Sequence, residues 1–392
     1  MKILFISHEA TASGAPRLLM ETQKWLRKNT ALEFSTVFVR GGDLLPEFES
    51  IGRVIGVIET SSQRSVASRI LSKVRRIVSL LPDHLALKAR RAGPFDLLYC
   101  NSIASASNIS LFKECAPLVV SHIHELPALI GMFGPKAIEG LLSHSRHFFA
   151  VSNAVRTGLV EKFGVDPSRI SLTSGFIGQD FGCDVDSKQA ARQLRSHLNL
   201  PAEALVVGVC GIGGLTKGHD LLPQLVKNLP FSVAGREVHL VHVGRFANLS
   251  DLAMLKRDAE VLGVATRLHY VGPRTDVAEW IAGFDVLAHP SREDAFGLVL
   301  LEAAKFGVPA VCFAQGGGAP EFCETGAGAV VPYLRVDLMA RTIENLLRDE
   351  SSRAVMGQTA KDQLVVRYQA DSAMPVWLDL VTKLVTQSRI TG

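Results

Sequence analysis

Two carboxylates set around a glycine carry the most pointed chemical pattern in the chain. Asp294 and Glu302 stand eight residues apart in SREDAFGLVLLEAAKFGVPAVC, flanking Phe296, Gly297, Leu298 and Val299. The preceding VLAHPS reads as a strand end, RED as a loop and FGLVLLEAAKFG as a helix. The first N–H groups of such a helix, with the positive end of its dipole, make an anion site that needs no metal. A carboxylate accepts hydrogen bonds from adjacent hydroxyls, so two of them flanking a phosphate site can hold two sugars, one on either side. Ribose, diphosphate and hexose in that order describe a nucleotide sugar.

Other segments offer chemistry with more than one reading. In VVGVCGIGGLTKGHDLLPQLV, Gly211, Gly213 and Gly214 follow a strand and Lys217 precedes an apolar helical pattern. A dinucleotide fingerprint would need glycine where Thr216 stands, and no GKS or GKT occurs. Lys217 is then either a clamp for a diphosphate or an exposed loop lysine. Gly14, in the SGAP loop after the first strand, either admits a ligand to the backbone or makes a simple turn. SHIHELPALI offers His122, His124 and Glu125; the HxH spacing suggests a metal pair, but no third ligand is evident and no metal is expected. Asp184-Val185-Asp186 mimics a DxD metal motif yet follows no clear strand, and reads as solvated linker.

Alternating strands and helices must position these groups. KILFIS, FSTVFV, RVIGVI, DLLYCN, PLVVSHI, HFFAVS and RISLTS read as one set of strands. After the Gly/Asp-rich GFIGQDFGCDVDSKQ the pattern restarts with ALVVGVCG, EVHLVHVG, RLHYVG, VLAHPS, PAVCF and GAVVPY. The expected fold is α/β, with two doubly wound Rossmann-like domains facing each other across a cleft, residues 1–178 and 179–369. A chain of 392 residues supports two domains. Its 47% hydrophobic and 20% charged residues are those of an ordinary globular protein. Six cysteines without CxxC spacing suggest reduced thiols. The net charge is +4, with the basic excess concentrated in residues 53–91. Within it, residues 64–81 (RSVASRILSKVRRIVSLL) carry apolar residues at helical spacing and Arg69, Lys73 and Arg76 elsewhere on the wheel. That helix either packs on its own domain or lies on an anionic membrane surface. No aromatic-studded basic groove points to nucleic acid. The opening strand is too short for a signal-peptide core and no apolar run is long enough to span a bilayer. A cytoplasmic protein is expected, peripheral on the inner face of the plasma membrane if the basic helix binds lipid.

DAFGLVLLEAAKFGVPAV resembles the E-x7-E signature of the family 4 retaining glycosyltransferases (group 1 glycosyltransferases), with Asp294 replacing the first acid and Glu302 retaining the second. GGGAPEF, the Lys217-Gly218 pair, FFAVSNAVRTGLVEKFG and the first strand with its SGAP loop resemble the same family. The resemblance implies a GT-B fold, donor binding by the second domain, acceptor binding by the first, no metal or other cofactor, and a final helix, about 370–392, returning to the first domain. It implies that Glu302 holds the ribose and Asp294 the transferred sugar. Lys217, with Gly213 and Gly214, would meet the diphosphate, and the backbone from Phe296 to Val299 the phosphates and sugar. Gly14 and His124 would approach the donor from the first domain. Where the family often carries a phosphate-binding arginine, this chain has Ile212, and Arg274 is a candidate substitute. The implied activity is retaining transfer of a hexose-type sugar from a UDP- or GDP-sugar to a glycan or lipid-linked acceptor, in cell-surface polysaccharide synthesis. A nucleotide-sugar epimerase, a pyridoxal-dependent phosphorylase and a catalytically silent nucleotide-sugar-binding subunit are the competing readings.

Overall fold

The computed structural model describes residues 1–59 and 82–391, and the basic stretch 64–81 lies outside the described residues. The chain divides into two compact units, Met1–Ser174 with Ala373–Gly392, and Gly175–Ser372. The division after Ser174 falls close to the boundary expected near residue 178.

In the first unit, short apolar runs become parallel strands buried on both faces, as all-parallel sheets require. They are β1 (Lys2–Ser7), β2 (Glu33–Arg40), β3 (Arg53–Glu59), β4 (Leu97–Asn101), β5 (Leu118–Ile123), β6 (His147–Ala150) and β7 (Ile170–Leu172), in the order β3-β2-β1-β4-β5-β6-β7. Strand order reverses between β1 and β4, so the loops leaving β1, β4 and β5 emerge at the point where doubly wound sheets bind ligands. Tyr99 sits at the centre of the core, edge-on to Phe5 at 5.3 Å, Phe149 at 6.0 Å and Trp377 at 5.6 Å. Each edge-to-face pair adds about 0.5–1.5 kcal/mol to the burial of its rings. Trp377 comes from the terminal helix Ala370–Thr391, and its Nε1 donates to the Tyr99 hydroxyl at 3.1 Å. That buried bond fixes the end of the chain on the first unit.

The second unit repeats the design with β8 (Leu205–Cys210), β10 (Arg236–Val243), β11 (Leu268–Gly272), β12 (Val286–His289), β13 (Ala310–Phe313) and β14 (Gly328–Val331), ordered β11-β10-β8-β12-β13-β14; the two-residue β9 (Ser232–Val233) pairs antiparallel with β10. Val207, Val209, Val286, Val311 and Phe313 form its core together with Met339 and Ile343 from the helix Val336–Arg348. The reversal here lies between β8 and β12, the strands that lead into the glycine loop and the acidic loop. Asp186 of the DxD look-alike caps the helix Ser187–His197, accepting from the N–H groups of Lys188 and Gln189. It is a structural cap at a helix start.

All six cysteines are free thiols. Among the described residues, no helix is long and apolar enough to cross a membrane.

Candidate functional site

Neighbouring strands place the glycine loop beside the acidic loop, and a dense set of bonds fixes their register. Backbone N–H groups of Arg292 and Glu293 donate to the Thr216 carbonyl at 2.8 and 3.1 Å. The Arg292 guanidinium forks onto both Asp220 carboxylate oxygens at 2.6 and 2.8 Å and also reaches the Leu215 carbonyl at 2.8 Å. From the other side the glycine run after β13 grips Asp294: its N–H donates to Gly316 O, and Gly318 N–H donates to Asp294 O, both at 2.9 Å. So held, the Asp294 carboxylate meets Lys217 Nζ at 2.6 Å, and His289 Nε2 stands 3.3 Å from the same oxygen. The carboxylate is 14% exposed, while Lys217 is 36% exposed and accessible from solvent.

The electrostatics follow from that enclosure. Burial alone would raise the Asp294 pKa, but Lys217 and His289 outweigh it and hold the group well below the usual carboxylate range. Beneath the glycine loop, buried His219 and His242 lie with ring centroids 4.6 Å apart. Burial, with His242, Lys217 and His289 nearby, drives the His219 pKa far below its ordinary value. This bed is therefore uncharged, and Lys217 is the cation directed at the acidic loop.

The helix Leu298–Phe306 begins immediately beyond, with Gly297 as its N-cap at φ 83° and ψ 66° and no side-chain cap. The left-handed conformation favours glycine there. Leu298 and Val299 are half-buried in the first turn, Phe296 is buried, and its ring packs 5.7 Å from Tyr368. Glu302 is 5% exposed one turn in, and its charge adds to burial in pushing the Cys210 thiol pKa up. The second acid thus faces the end of β8. Gly213 donates to the Arg245 carbonyl at 2.7 Å, and a Cβ there would overlap the Phe246 ring. Gly214 borders open space.

The first unit gathers a separate polar cluster. His124, half-buried, bonds through Nε2 to Asn101 Oδ1 at 2.8 Å. Asn101 Nδ2 in turn donates to the Ala15 carbonyl at 3.1 Å, at the start of the helix Gly14–Asn29. Glu125 is buried and accepts from the Ser102 hydroxyl, from Ile103 N–H at 3.3 Å and from His124 N–H at 3.0 Å. Burial raises its pKa against those bonds. The neighbouring His122 has Nδ1 taken by the Tyr99 hydroxyl at 2.8 Å and Nε2 by Thr173 Oγ1 at 3.1 Å. Neither nitrogen is left to form a metal pair with His124.

Lys217, Asp294, Phe296, Gly297, Leu298, Val299 and Glu302 therefore line adjoining loops and one helix of the second unit, with Gly213 and Gly214 in the loop carrying Lys217. His124 and Gly14 belong to the first unit, linked through Asn101. Arg274 does not join the lysine cluster: its guanidinium forks onto Asp276 at 2.8 and 2.7 Å and lies over the Trp280 ring at 5.3 Å. Sequence reasoning passed over His289, the Asp220–Arg292 fork, Asn101 and Ser102. A polar residue closing an apolar strand was the available signal for His289 and Asn101, since such positions open onto the binding end of the sheet.

Residues 191–363 match the family model described as "Glycosyl transferases group 1". A D-inositol 3-phosphate glycosyltransferase of Xylanimonas cellulosilytica is 32% identical over 230 residues, 57% of this chain and 53% of that relative. The protein of the same name from Stackebrandtia nassauensis is 27% identical over 312 residues, 77% of this chain and 67% of its own length. The chain spans 53% of the length of the first of these relatives and 67% of the second. Among solved structures, Anabaena Alr3699/HepE in complex with UDP-glucose aligns at a TM-score of 0.80 and 21% identity, covering 98% of this chain and 100% of that one. Sucrose-phosphate synthase from Thermosynechococcus elongatus aligns at 0.75 and 16%, covering 99% and 100%. These likenesses, with the two parallel sheets, give the GT-B fold.

Proposed function

We propose that this chain, whose residues 191–363 match the group 1 glycosyltransferase model, transfers a hexose-type sugar, with retention and without a metal ion, from a nucleoside-diphosphate sugar to a glycan or lipid-linked acceptor. The observation that carries the reading is Lys217 Nζ, 2.6 Å from Asp294, in the loop that leads into the uncapped start of the helix Leu298–Phe306. An ammonium has three donors, so Lys217 can keep Asp294 and still meet a phosphate oxygen. As the bond from sugar to phosphate breaks, charge builds on the departing phosphate, where Lys217 and the helix N–H groups stand ready. Loss of one such preorganised donor typically costs about 10²–10³ in rate.

Asp294, an obligate carboxylate at working pH, accepts hydroxyls of the transferred sugar, and Glu302 accepts those of the ribose. The positive charge gathering on the sugar is met by the departing phosphate and by Asp294. Attack on the same face as departure then gives retention with no enzymic nucleophile. His124 hydrogen-bonds a sugar hydroxyl. A uridine donor is favoured by the UDP-glucose complex of Alr3699/HepE, and a cell-surface polysaccharide or lipid-linked glycan is the acceptor class we assign. The name of the curated relatives adds D-inositol 3-phosphate to the acceptors to be tried. Titration of the protein with UDP-, GDP- and other activated sugars, followed by turnover with a glycan, lipid-linked and inositol-phosphate acceptor panel, tests the reading. Binding of a nucleotide sugar followed by acceptor-dependent release of nucleoside diphosphate is expected. Isomerisation of the bound sugar, or no binding at all, would overturn it.

A further inference from the structure

Asn101 closes β4 and is 1% exposed, between the start of the helix Gly14–Asn29 and the loop that carries His124. Its two amide atoms have different partners, and chemistry orders them. Nδ2, which only donates, reaches the Ala15 carbonyl, which only accepts, at 3.1 Å. The other atom, Oδ1, is therefore the one turned to His124 Nε2 at 2.8 Å. An amide oxygen accepts and cannot donate, so Nε2 must carry a hydrogen. Neutral imidazole carries only one, which leaves Nδ1 with a free lone pair.

The rest of the cluster keeps the ring in that state. The His124 main chain is anchored by its N–H bond to Glu125 at 3.0 Å. Its ring lies 4.1 Å from that of His122, whose two nitrogens are already engaged by Tyr99 and Thr173. The ionisable groups around it are His122, His8 and Glu125. Burial first, then His122 and His8, hold His124 well below its ordinary pKa. The Glu125 carboxylate is occupied by the Ser102 hydroxyl and two backbone N–H groups.

We propose that Asn101 is a positioning residue that holds His124 as its Nε2–H tautomer, so that Nδ1 presents a hydrogen-bond acceptor selecting sugar hydroxyls over phosphate oxygens. A lone pair attracts O–H donors and repels an anionic oxygen. His124 thereby becomes a reader of sugar, distinct in chemistry from Lys217. The choice of ligand rests on the transfer reading above; the tautomer does not.

Two measurements on the full chain test this. With ¹⁵N-labelled histidine, long-range ¹H–¹⁵N spectra identify the protonated nitrogen of His124, whose signals are assigned by their loss in His124→Gln. The expected result at pH 7 is a proton on Nε2 and an unprotonated Nδ1; a proton on Nδ1, or on both nitrogens, overturns the proposal. The second measurement compares Asn101→Leu with Asn101→Asp. Leucine removes the acceptor, and kcat/KM should fall about tenfold at every pH, with the affinity for free nucleoside diphosphate unchanged. Aspartate keeps an acceptor oxygen and raises the His124 pKa. Its activity should recover toward wild type at high pH and decline as the pH falls through that raised value, because a protonated ring donates from Nδ1. A pH-independent loss in Asn101→Asp, equal to that of leucine, overturns the proposal. A wild-type protein that shows the Nε2–H tautomer but transfers no sugar overturns the transfer reading while supporting the tautomer assignment.

Discussion

The Lys217–Asp294 pair predicts that of two neutralising substitutions, made at atoms 2.6 Å apart, only the one at the lysine will weaken nucleotide binding. Lys217→Met removes a charge-assisted hydrogen bond to the diphosphate, worth about 1.5–3 kcal/mol. That corresponds to roughly 10- to 150-fold weaker binding of UDP, or of GDP if the donor screen selects it. Asp294→Asn does something different. In the free protein the carboxylate partly neutralises the lysine, and a pair open to solvent on its lysine side is worth about 0.2–1 kcal/mol. Freeing Lys217 should therefore leave UDP binding unchanged or tighten it by up to about fivefold. The same substitution should abolish most of the transfer, since the neutral amide no longer opposes the charge on the sugar. Isothermal titration of both variants with free UDP, beside turnover with the intact donor, reads all these effects. If Asp294→Asn weakens UDP as much as Lys217→Met does, the carboxylate is helping to hold phosphate and the assignment of roles fails.

Further outcomes follow from individual contacts. Glu302→Ala should weaken UDP by at least about tenfold through loss of charge-assisted hydroxyl contacts, and a 2′-deoxy nucleotide should suffer a smaller loss in the variant than UDP itself; equal losses would remove the ribose from its role. Gly213→Ala forces a methyl into the Phe246 ring and should lower stability by about 1–3 kcal/mol in urea unfolding, whereas Gly214→Ala, bordered by open space, should leave it nearly unchanged. Arg274→Ala should alter nucleotide affinity by less than about threefold, because the guanidinium is already forked onto Asp276; a larger loss by titration would restore it to the phosphate site. Burial lowers His122 to about 3 and His242 to about 4. Depressed values mean that the unfolded chain binds protons first, so the stability they contribute is complete above about pH 6.5 and is lost toward those values. Each should cost up to about 1.4 kcal/mol per pH unit in that window, and a urea midpoint that stays flat from pH 7 to 5 would contradict it.

The architecture was legible because parallel strands buried on both faces write themselves as short apolar runs. KILFIS, LLYCN, LVVGVC and VLAH all lie at sheet centres. The alternation with helices made two doubly wound sheets the natural expectation. Asp294, Glu302 and Lys217 were legible as residue types at strand ends, but the partner of each side chain was not. Arg274 was read as a candidate phosphate ligand, yet Asp276, two residues on, takes its whole fork. Asp186 was read as solvated and is exposed, but its capping of a helix start was not legible. His289 and Asn101 were read as the ends of strands, and only the sheet order brings one to Asp294 and the other to Ala15 and His124. Such pairings depend on which strands become neighbours, a property of the assembled sheet that no local spacing records.

Retaining transfer from a nucleotide sugar can be followed by ¹H NMR of the reaction as it proceeds, with an α-configured donor from the binding screen and an acceptor from the turnover panel. A new α-linked anomeric signal on the acceptor is expected, appearing in step with release of the nucleoside diphosphate, with its loss in Lys217→Met. A β-linked product, or an isomerised sugar still attached to the nucleotide, would contradict it.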